Sequence, residues 1–145
     1  MPVSEIRLEA ALARAEQAEA KYRTLVEQVP VITYTEALDN GRCLSVSSHV
    51  KKLLGYTQEE WMGRPRLWVD LLHPDDRERV IEACELANRD RQTFGAEYRM
   101  IARDGRVVWI RDEAVLVRGS HGQPLCWQGV MLDITEARSE PEDLA

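Results

Sequence analysis

The chain has 145 residues, and 19 Lys and Arg side chains are outnumbered by 25 Asp and Glu side chains, which gives a formal net charge of −6. This length suits one domain with a single core and excludes two independent catalytic domains. The negative charge argues against nucleic acid as a partner, because phosphate binding needs a basic surface. The sequence has neither an apolar run of the roughly 20 residues that span a membrane nor a secretory signal, so we expect a cytoplasmic protein with no membrane insertion.

Three cysteines, Cys43, Cys84 and Cys126, are far apart in the sequence, and no C-x-x-C motif occurs. This spacing favours neither a disulfide framework nor a zinc site. We expect the three residues to be small apolar core residues in a reducing compartment.

Residues 4–28 contain no Pro or Gly and are rich in good helix formers. Their apolar residues recur with the 3.5-residue period of a coiled-coil seam, although Glu19 interrupts it. Such a helix must pack on its own domain, on a second copy of itself, or on both. The residues predicted to form a dimer interface are Leu8, Leu12, Ala15, Tyr22, Leu25, Val26 and Val29.

After Pro30 the pattern becomes strand-like, and 31–35 and 43–47 predict a hairpin around a turn at 39–42. The stretch 48–90 predicts helical pieces. Ser48 is expected to cap the first, the capping box Thr57-x-x-Glu60 opens the second, one turn follows at 67–72, and Pro74 lies in the first turn of a longer helix.

From residue 93 onward the period is two, which predicts strands over 93–102, 107–118 and 125–132. Asp133-x-x-Glu136 then predicts the start of another helix. Five antiparallel strands with helices inserted on one side give an α+β domain. We divide the chain into an N-terminal amphipathic or coiled-coil helix (1–28), the domain (29–135), and the start of a connector helix with an acidic tail (136–145).

Several stretches in this order resemble the PAS domain with its C-terminal PAC part, over residues 22–138. They are Tyr22-Arg23-Thr24-Leu25-Val26-Glu27, Leu54-Gly55-Tyr56-Thr57, Trp61-x-Gly63, His73-Pro74-Asp75-Asp76-Arg77, Glu97-Tyr98-Arg99, Asp104-Gly105, Trp109-Ile110 and Gly129-Val130-x-x-Asp133-Ile134-Thr135-Glu136. The resemblance implies a PAS fold, in which a five-stranded antiparallel sheet closed by short helices holds a small ligand. It also implies a signalling role beside an effector such as a histidine kinase or a cyclic-dinucleotide enzyme.

The family's pocket is lined by the inner side of the sheet and by the long helix. Strand alternation directs Trp109, Arg111, Val115 and Cys126 to the outer side, which we expect the N-terminal helix or a partner chain to cover. It directs Val108, Leu116 and Leu125 inward, together with most of the candidate ligand contacts. Those candidates are Phe94, Tyr98, Met100, Ile110, Ala114, Trp127 and Met131 on strands, and Ile81 and Cys84 on the long helix. The alternative for each is a plain core residue, and a register shift of one would exchange the two faces.

The resemblance argues against two cofactors. Flavin-binding relatives that react to light carry a Cys in the loop where this chain has Arg66. Haem-binding relatives carry a His on the long helix, and residues 75–89 contain none. No cofactor is expected, and what remains is an apolar or aromatic small molecule or no ligand.

No nucleophile elbow, phosphate-binding glycine loop or H-E-x-x-H motif occurs, so we expect no enzyme. The resemblance assigns signal relay to Asp133, Ile134 and Thr135, where the last strand becomes a helix. A plain helix cap at Asp133 is the alternative.

We expect a sensory module that dimerises, with a ligand-free dimerisation or protein-docking spacer as the alternative. The chain ends soon after its connector helix, which favours a segment of a longer protein, while a natural acidic tail is also compatible.

Overall fold

The architecture is taken from a computed structural model, which describes residues 3–28, 30–38 and 41–139, with the α1 side chains of residues 6–18, 20 and 21. The helices are α1 (Val3–Gln28), α2 (His49–Leu54), α3 (Gln58–Gly63), α4 (Leu67–Leu71), α5 (Pro74–Asp90) and α6 (Thr135–Ser139). The strands are β1 (Val31–Ala37), β2 (Cys43–Val46), β3 (Phe94–Ile101), β4 (Val107–Arg118) and β5 (Pro124–Asp133). These elements confirm the predicted α+β class and element order.

The five strands form one antiparallel sheet in the order β2-β1-β5-β4-β3. The first and last strands of the chain, β1 and β5, are therefore neighbours in the middle of the sheet. Because α1 precedes β1 and α6 follows β5, the two terminal helices connect to adjacent strands.

The helices between β2 and β3 begin and end where the sequence places their stop signals. Gly55 ends α2 in the left-handed region at φ 86°, and Thr57 and Glu60 form both bonds of the capping box. At the start of α5 the His73 Nδ1 accepts a hydrogen bond of 3.1 Å from the Asp75 backbone N–H. The expectation for Ser48 was wrong in one respect: it occupies the N-cap position of α2, but its side chain makes no capping hydrogen bond, because its backbone is already helical.

The core lies between these helices and the inner face of the sheet. Tyr98 pairs with Ile110 and Met100 pairs with Val108 across β3 and β4, and all four side chains are buried. These faces agree with the alternation expected from the sequence. Leu54 and Val80 are fully buried on the helical side.

Leu125 departs from the predicted alternation. It was expected to point inward, but 52% of its surface is exposed. The pairing of β4 with β5 shifts between Val117 and Arg118, so that Leu125 has no partner opposite it. Such a bulge bends the strand end and turns the side chain away from the core.

The outer face of the sheet is not covered by α1 at the positions described. Val115, Val130 and Leu132 are 51%, 39% and 38% exposed. On α1 itself, Leu8 and Leu12 are 60% and 54% exposed, and Ala15 is exposed too. The alternative in which the described part of α1 packs on its own domain is therefore wrong. The remaining predicted interface positions, Tyr22, Leu25, Val26 and Val29, lie outside the described side chains.

Within the part of the chain that the structure describes, no helix combines the length and the apolar character needed to cross a membrane.

Candidate functional site

A cavity of about 250 Å³ lies between the inner face of the sheet and helices α3 to α5. Its deep wall is built from buried side chains, among them Phe94, Asp112 and Trp127. Its exposed wall includes Arg42 and Arg64. The cavity therefore opens to solvent beside the β1–β2 turn and the loop after α3.

Five of the nine predicted contacts line this cavity: Phe94, Ala114, Trp127, Met131 and Cys84. Tyr98, Met100 and Ile110 do not line it and are fully buried. The reason is that helical side chains fill the space over this part of the sheet. The Trp68 ring of α4 packs edge-on against the Tyr98 ring, with the ring centres 5.9 Å apart, and Leu72 and Val80 are fully buried. Ile81 lies instead over a shallow groove on α5.

The deep wall carries a polar group that the predicted site did not include. Asp112, on β4, is only 2% exposed. Its Oδ1 accepts a hydrogen bond of 2.5 Å from the Tyr34 hydroxyl, and its Oδ2 accepts one of 2.7 Å from the Tyr98 hydroxyl. The indole N–H of Trp68 donates to the Tyr98 oxygen at 3.0 Å. The four side chains form one connected network, which holds a carboxyl group where an apolar residue is the rule.

A signal for Asp112 was present in the sequence. It is a charged residue in the middle of the inward alternation of β4, between Ile110 and Ala114. A charged residue in the middle of a buried strand face has to be hydrogen-bonded, and two tyrosines on other strands were available as donors. Their positions relative to Asp112 depend on the order of the strands.

Burial sets the protonation of this network. It raises the pKa of Asp112 to about 6, while the hydrogen bonds from Tyr34 and Tyr98 act in the opposite direction. Burial and the charge of Asp112 raise the pKa of both tyrosines. Both hydroxyls therefore remain protonated donors at neutral pH.

Glu36 is a second carboxyl group on the cavity wall that the sequence interpretation missed. It lies on β1, opposite Trp127 of β5, and is half-buried. Burial, with a smaller contribution from the charge of Asp112, raises the pKa of Glu36 to about 7. Burial and these two carboxylates also raise the pKa of Cys84 to about 12, which keeps its thiol protonated at neutral pH.

The junction between β5 and α6 is tied to β4 by hydrogen bonds. Asp133 Oδ1 accepts from the backbone N–H of Thr135 at 2.9 Å and from its hydroxyl at 2.6 Å. The Thr135 hydroxyl oxygen accepts from the Trp109 N–H at 2.9 Å, and the Ile134 N–H donates to the Trp109 carbonyl at 2.9 Å. The three residues of the predicted relay thus hold the start of α6 against one residue of β4.

Side chains strengthen the same attachment. The Arg138 guanidinium of α6 lies 4.3 Å from the centre of the Trp109 ring and forms an ion pair of 2.7 Å with Glu97 on β3. The exposed ion pair contributes little by itself, and the stacking on Trp109 adds a second contact. The outer face of β3 and β4 therefore serves as the docking surface of α6.

Neither a metal cluster nor a disulfide is found among the residues described. No three His, Cys, Asp or Glu side chains there are grouped as metal ligands, and Cys43, Cys84 and Cys126 are free thiols. His73 lies before α5 and is engaged in capping that helix.

The geometry of sheet, short helices and cavity is that of a known family, and residues 44–131 match the family model described as the PAS fold. The chain belongs to the PAS family. It is 30% identical over 94% of its length to the methyl sulfide methyltransferase-associated sensor of Methanosarcina acetivorans. Among solved structures it resembles the N-terminal domain of a diguanylate cyclase with PAS/PAC sensor from Marinobacter aquaeolei, at a TM-score of 0.68 and 29% identity, over 74% of this chain and 98% of that one.

A second similar structure is the sensory box histidine kinase/response regulator of Burkholderia thailandensis, with a TM-score of 0.65 and 26% identity over 86% of this chain and 92% of that one. This PAS domain spans only 14% of the length of the sensor from M. acetivorans. The relatives are sensor proteins, and this chain is a sensory PAS module of the same kind.

Proposed function

We propose that this PAS domain is a non-enzymatic sensor that dimerises, binds a small apolar or aromatic molecule in its cavity, and relays binding to an effector domain through Asp133, Ile134 and Thr135. The effector would be a histidine kinase or a cyclic-dinucleotide enzyme, the types of protein that contain its structural relatives.

One observation carries the proposal: β4 and β5 form both the cavity wall and the junction with α6. Met131 lines the cavity and lies two residues before Asp133 on β5. Asp112 lines it three residues after Trp109, which bonds to Thr135. A ligand that moves either strand would thus change the anchoring of α6, and a difference in free energy between two positions of the helix is what a switch requires.

The proposed dimer uses the exposed apolar side chains of α1 and of the outer face of the sheet. Leu8 and Leu12 lie one helical turn apart on the predicted stripe and are more than half exposed. Val115 and Leu132 add apolar area on the sheet. A second copy is the proposed occupant because the stripe has the 3.5-residue period of a two-helix seam.

The same proposal assigns no catalysis, no haem and no photoactive flavin to this domain. Support comes from the Arg at position 66, from the absence of His in α5 and from the high pKa of the Cys84 thiol. A cytoplasmic location is part of the proposal, since three free thiols suit a reducing compartment.

Native mass spectrometry of the protein purified from cells tests the sensor. We expect a mass excess that disappears on denaturation in the wild type and is missing from Ala114→Phe, which fills the cavity. Ala13→Phe, an exposed α1 position, is the matched control. Equal native and denatured masses for wild-type protein, together with an intact dimer, would favour the ligand-free spacer instead.

A further inference from the structure

The cavity holds two carboxyl groups and no cation paired with either of them among the residues described. Both oxygens of Asp112 accept from tyrosine hydroxyls, which are neutral. Glu36 has no hydrogen-bonding or ionic partner within the described part of the chain. Buried carboxylates are normally paired with a positive group or lose their charge. An unpaired Glu36 is therefore a position at which a bound positive charge is favourable.

The positive side chains nearest the cavity do not fill that position. Arg42 and Arg64 belong to its exposed wall, and the Arg64 side chain is 59% exposed and 3.9 Å from Glu60. The pKa of Glu36 responds to burial and to Asp112, and no arginine lowers it. The two carboxyl groups in the inner part of the cavity are consequently either negatively charged or protonated. The positive side chains belong to its exposed wall.

The rest of the wall is aromatic. Five rings line the cavity, those of Tyr34, Trp61, Trp68, Phe94 and Trp127. Aromatic faces attract organic cations, and an ammonium group surrounded by rings and a carboxylate is held more strongly than in water. An inorganic ion would gain little from such walls, whereas an amine with an apolar body would contact both parts.

Trp127 supplies an independent observation. Trp127 is 5% exposed and lines the cavity directly opposite Glu36 in the β1–β5 pairing. Its Nε1–H is buried and has no hydrogen-bonding partner among the residues that the structure describes. A buried donor without an acceptor is unfavourable, because it has lost the hydrogen bond that it makes to water in the unfolded chain. This part of the wall therefore carries an unused donor beside the unpaired carboxyl group of Glu36. An ammonium group can pair with Glu36, whereas the Trp127 N–H needs an acceptor.

We propose that the cavity selects a small organic cation, a primary amine with an aromatic or apolar body, whose ammonium group binds Glu36 between the aromatic rings. This inference rests on the proposed sensor function and names its class of ligand. The volume of about 250 Å³ exceeds the roughly 150 Å³ of an engineered cavity that binds benzene, so an arylalkylamine of modest size fits.

Three probes of one shape and different charge test the selection. Phenethylamine, 2-phenylethanol and phenylacetate are titrated into the 145-residue protein at pH 8 by calorimetry. We expect phenethylamine to bind at least tenfold more tightly than 2-phenylethanol, and phenylacetate to bind most weakly. Glu36→Gln should weaken phenethylamine at least tenfold and leave 2-phenylethanol unchanged, while Glu82→Gln, an exposed α5 control, changes neither.

The pH dependence of binding to the wild-type protein tests the role of Glu36 without any substitution. Phenethylamine stays protonated at pH 5, but Glu36 is then mostly neutral, so its binding should weaken several-fold between pH 8 and pH 5, and 2-phenylethanol binding should not. Equal affinities for the amine and the alcohol, or no effect of pH and Glu36→Gln, would overturn the inference.

The outcomes separate the two proposals. Binding of 2-phenylethanol that Ala114→Phe abolishes, without any preference for the amine, refutes selection of a cation and leaves a ligand-binding sensor. If none of the probes binds but native mass spectrometry still shows a retained molecule, selection of a cation is likewise refuted and a ligand-binding sensor remains. No binding and no retained molecule refute both.

Discussion

Tyr34 on β1 and Gly129 on β5 lie directly opposite each other, and the Tyr34 ring occupies the space that a side chain at position 129 would fill. Because β5 has no side chain there, the Tyr34 hydroxyl reaches across it to Asp112 on β4. A glycine in the middle of a central strand thus makes the buried network possible.

Gly129→Ala is expected to destabilise the domain. The added Cβ would overlap the Tyr34 ring and push its hydroxyl away from Asp112. We expect a loss of about 1–3 kcal/mol in the free energy of unfolding, measured by urea denaturation. Gly95→Ala on β3 is the control, since its Cβ meets only the end of the Arg111 side chain at 3.5 Å. Equal losses in both variants would contradict this account of Gly129.

Glu36→Gln is expected to stabilise the unliganded protein only at high pH. The folded state raises the Glu36 pKa from 4.5 to about 7, so between these values it binds more protons than the unfolded chain does, and rising pH lowers stability. The variant should gain roughly 1–3 kcal/mol at pH 8 and almost nothing at pH 4.

Chemical denaturation at the two pH values measures this difference, and Glu82→Gln provides a control on an exposed carboxyl group. A gain of the same size at both pH values would show that the effect does not come from the charge of Glu36.

Thr135→Val is expected to loosen α6 from the sheet. The change keeps the side-chain shape and removes the hydroxyl that accepts from the Trp109 N–H and donates to Asp133. Hydrogen exchange at residues 134–138 should become faster by several-fold, while the free energy of unfolding falls by only about 1 kcal/mol. Thr35→Val on β1 is the control. Unchanged exchange would indicate that the backbone bond from Ile134 and the Arg138 contacts hold the helix alone.

Leu8→Glu with Leu12→Glu is expected to shift the protein from dimer to monomer. Both side chains are exposed on the predicted stripe, and four new charges at a two-helix seam would repel one another. Multi-angle light scattering measures the mass. Ala10→Glu with Ala13→Glu adds the same charge off the stripe and should leave a dimer. A wild-type monomer, or a dimer in both variants, would exclude this seam.

Most of the fold could be predicted because its signals are local. The capping box at Thr57, the Pro in the first turn of α5 and the alternation along β3 and β4 depend on neighbours in the chain, and the structure agrees with each. The prediction that Leu125 points inward was wrong because a bulge arises from the pairing of two strands. The sequence of β5 alone does not reveal it.

The sequence by itself determined the element types, the face on which most strand residues lie, and the PAS family. Only the tertiary structure decided where packing ends and the cavity begins, because Tyr34 and Asp112 are 78 positions apart and meet only through the strand order. The same order places Glu36 opposite Trp127, which no spacing in the chain specifies. Local periodicity sets which way a side chain points, but the space in front of it depends on what the distant parts of the chain bring there.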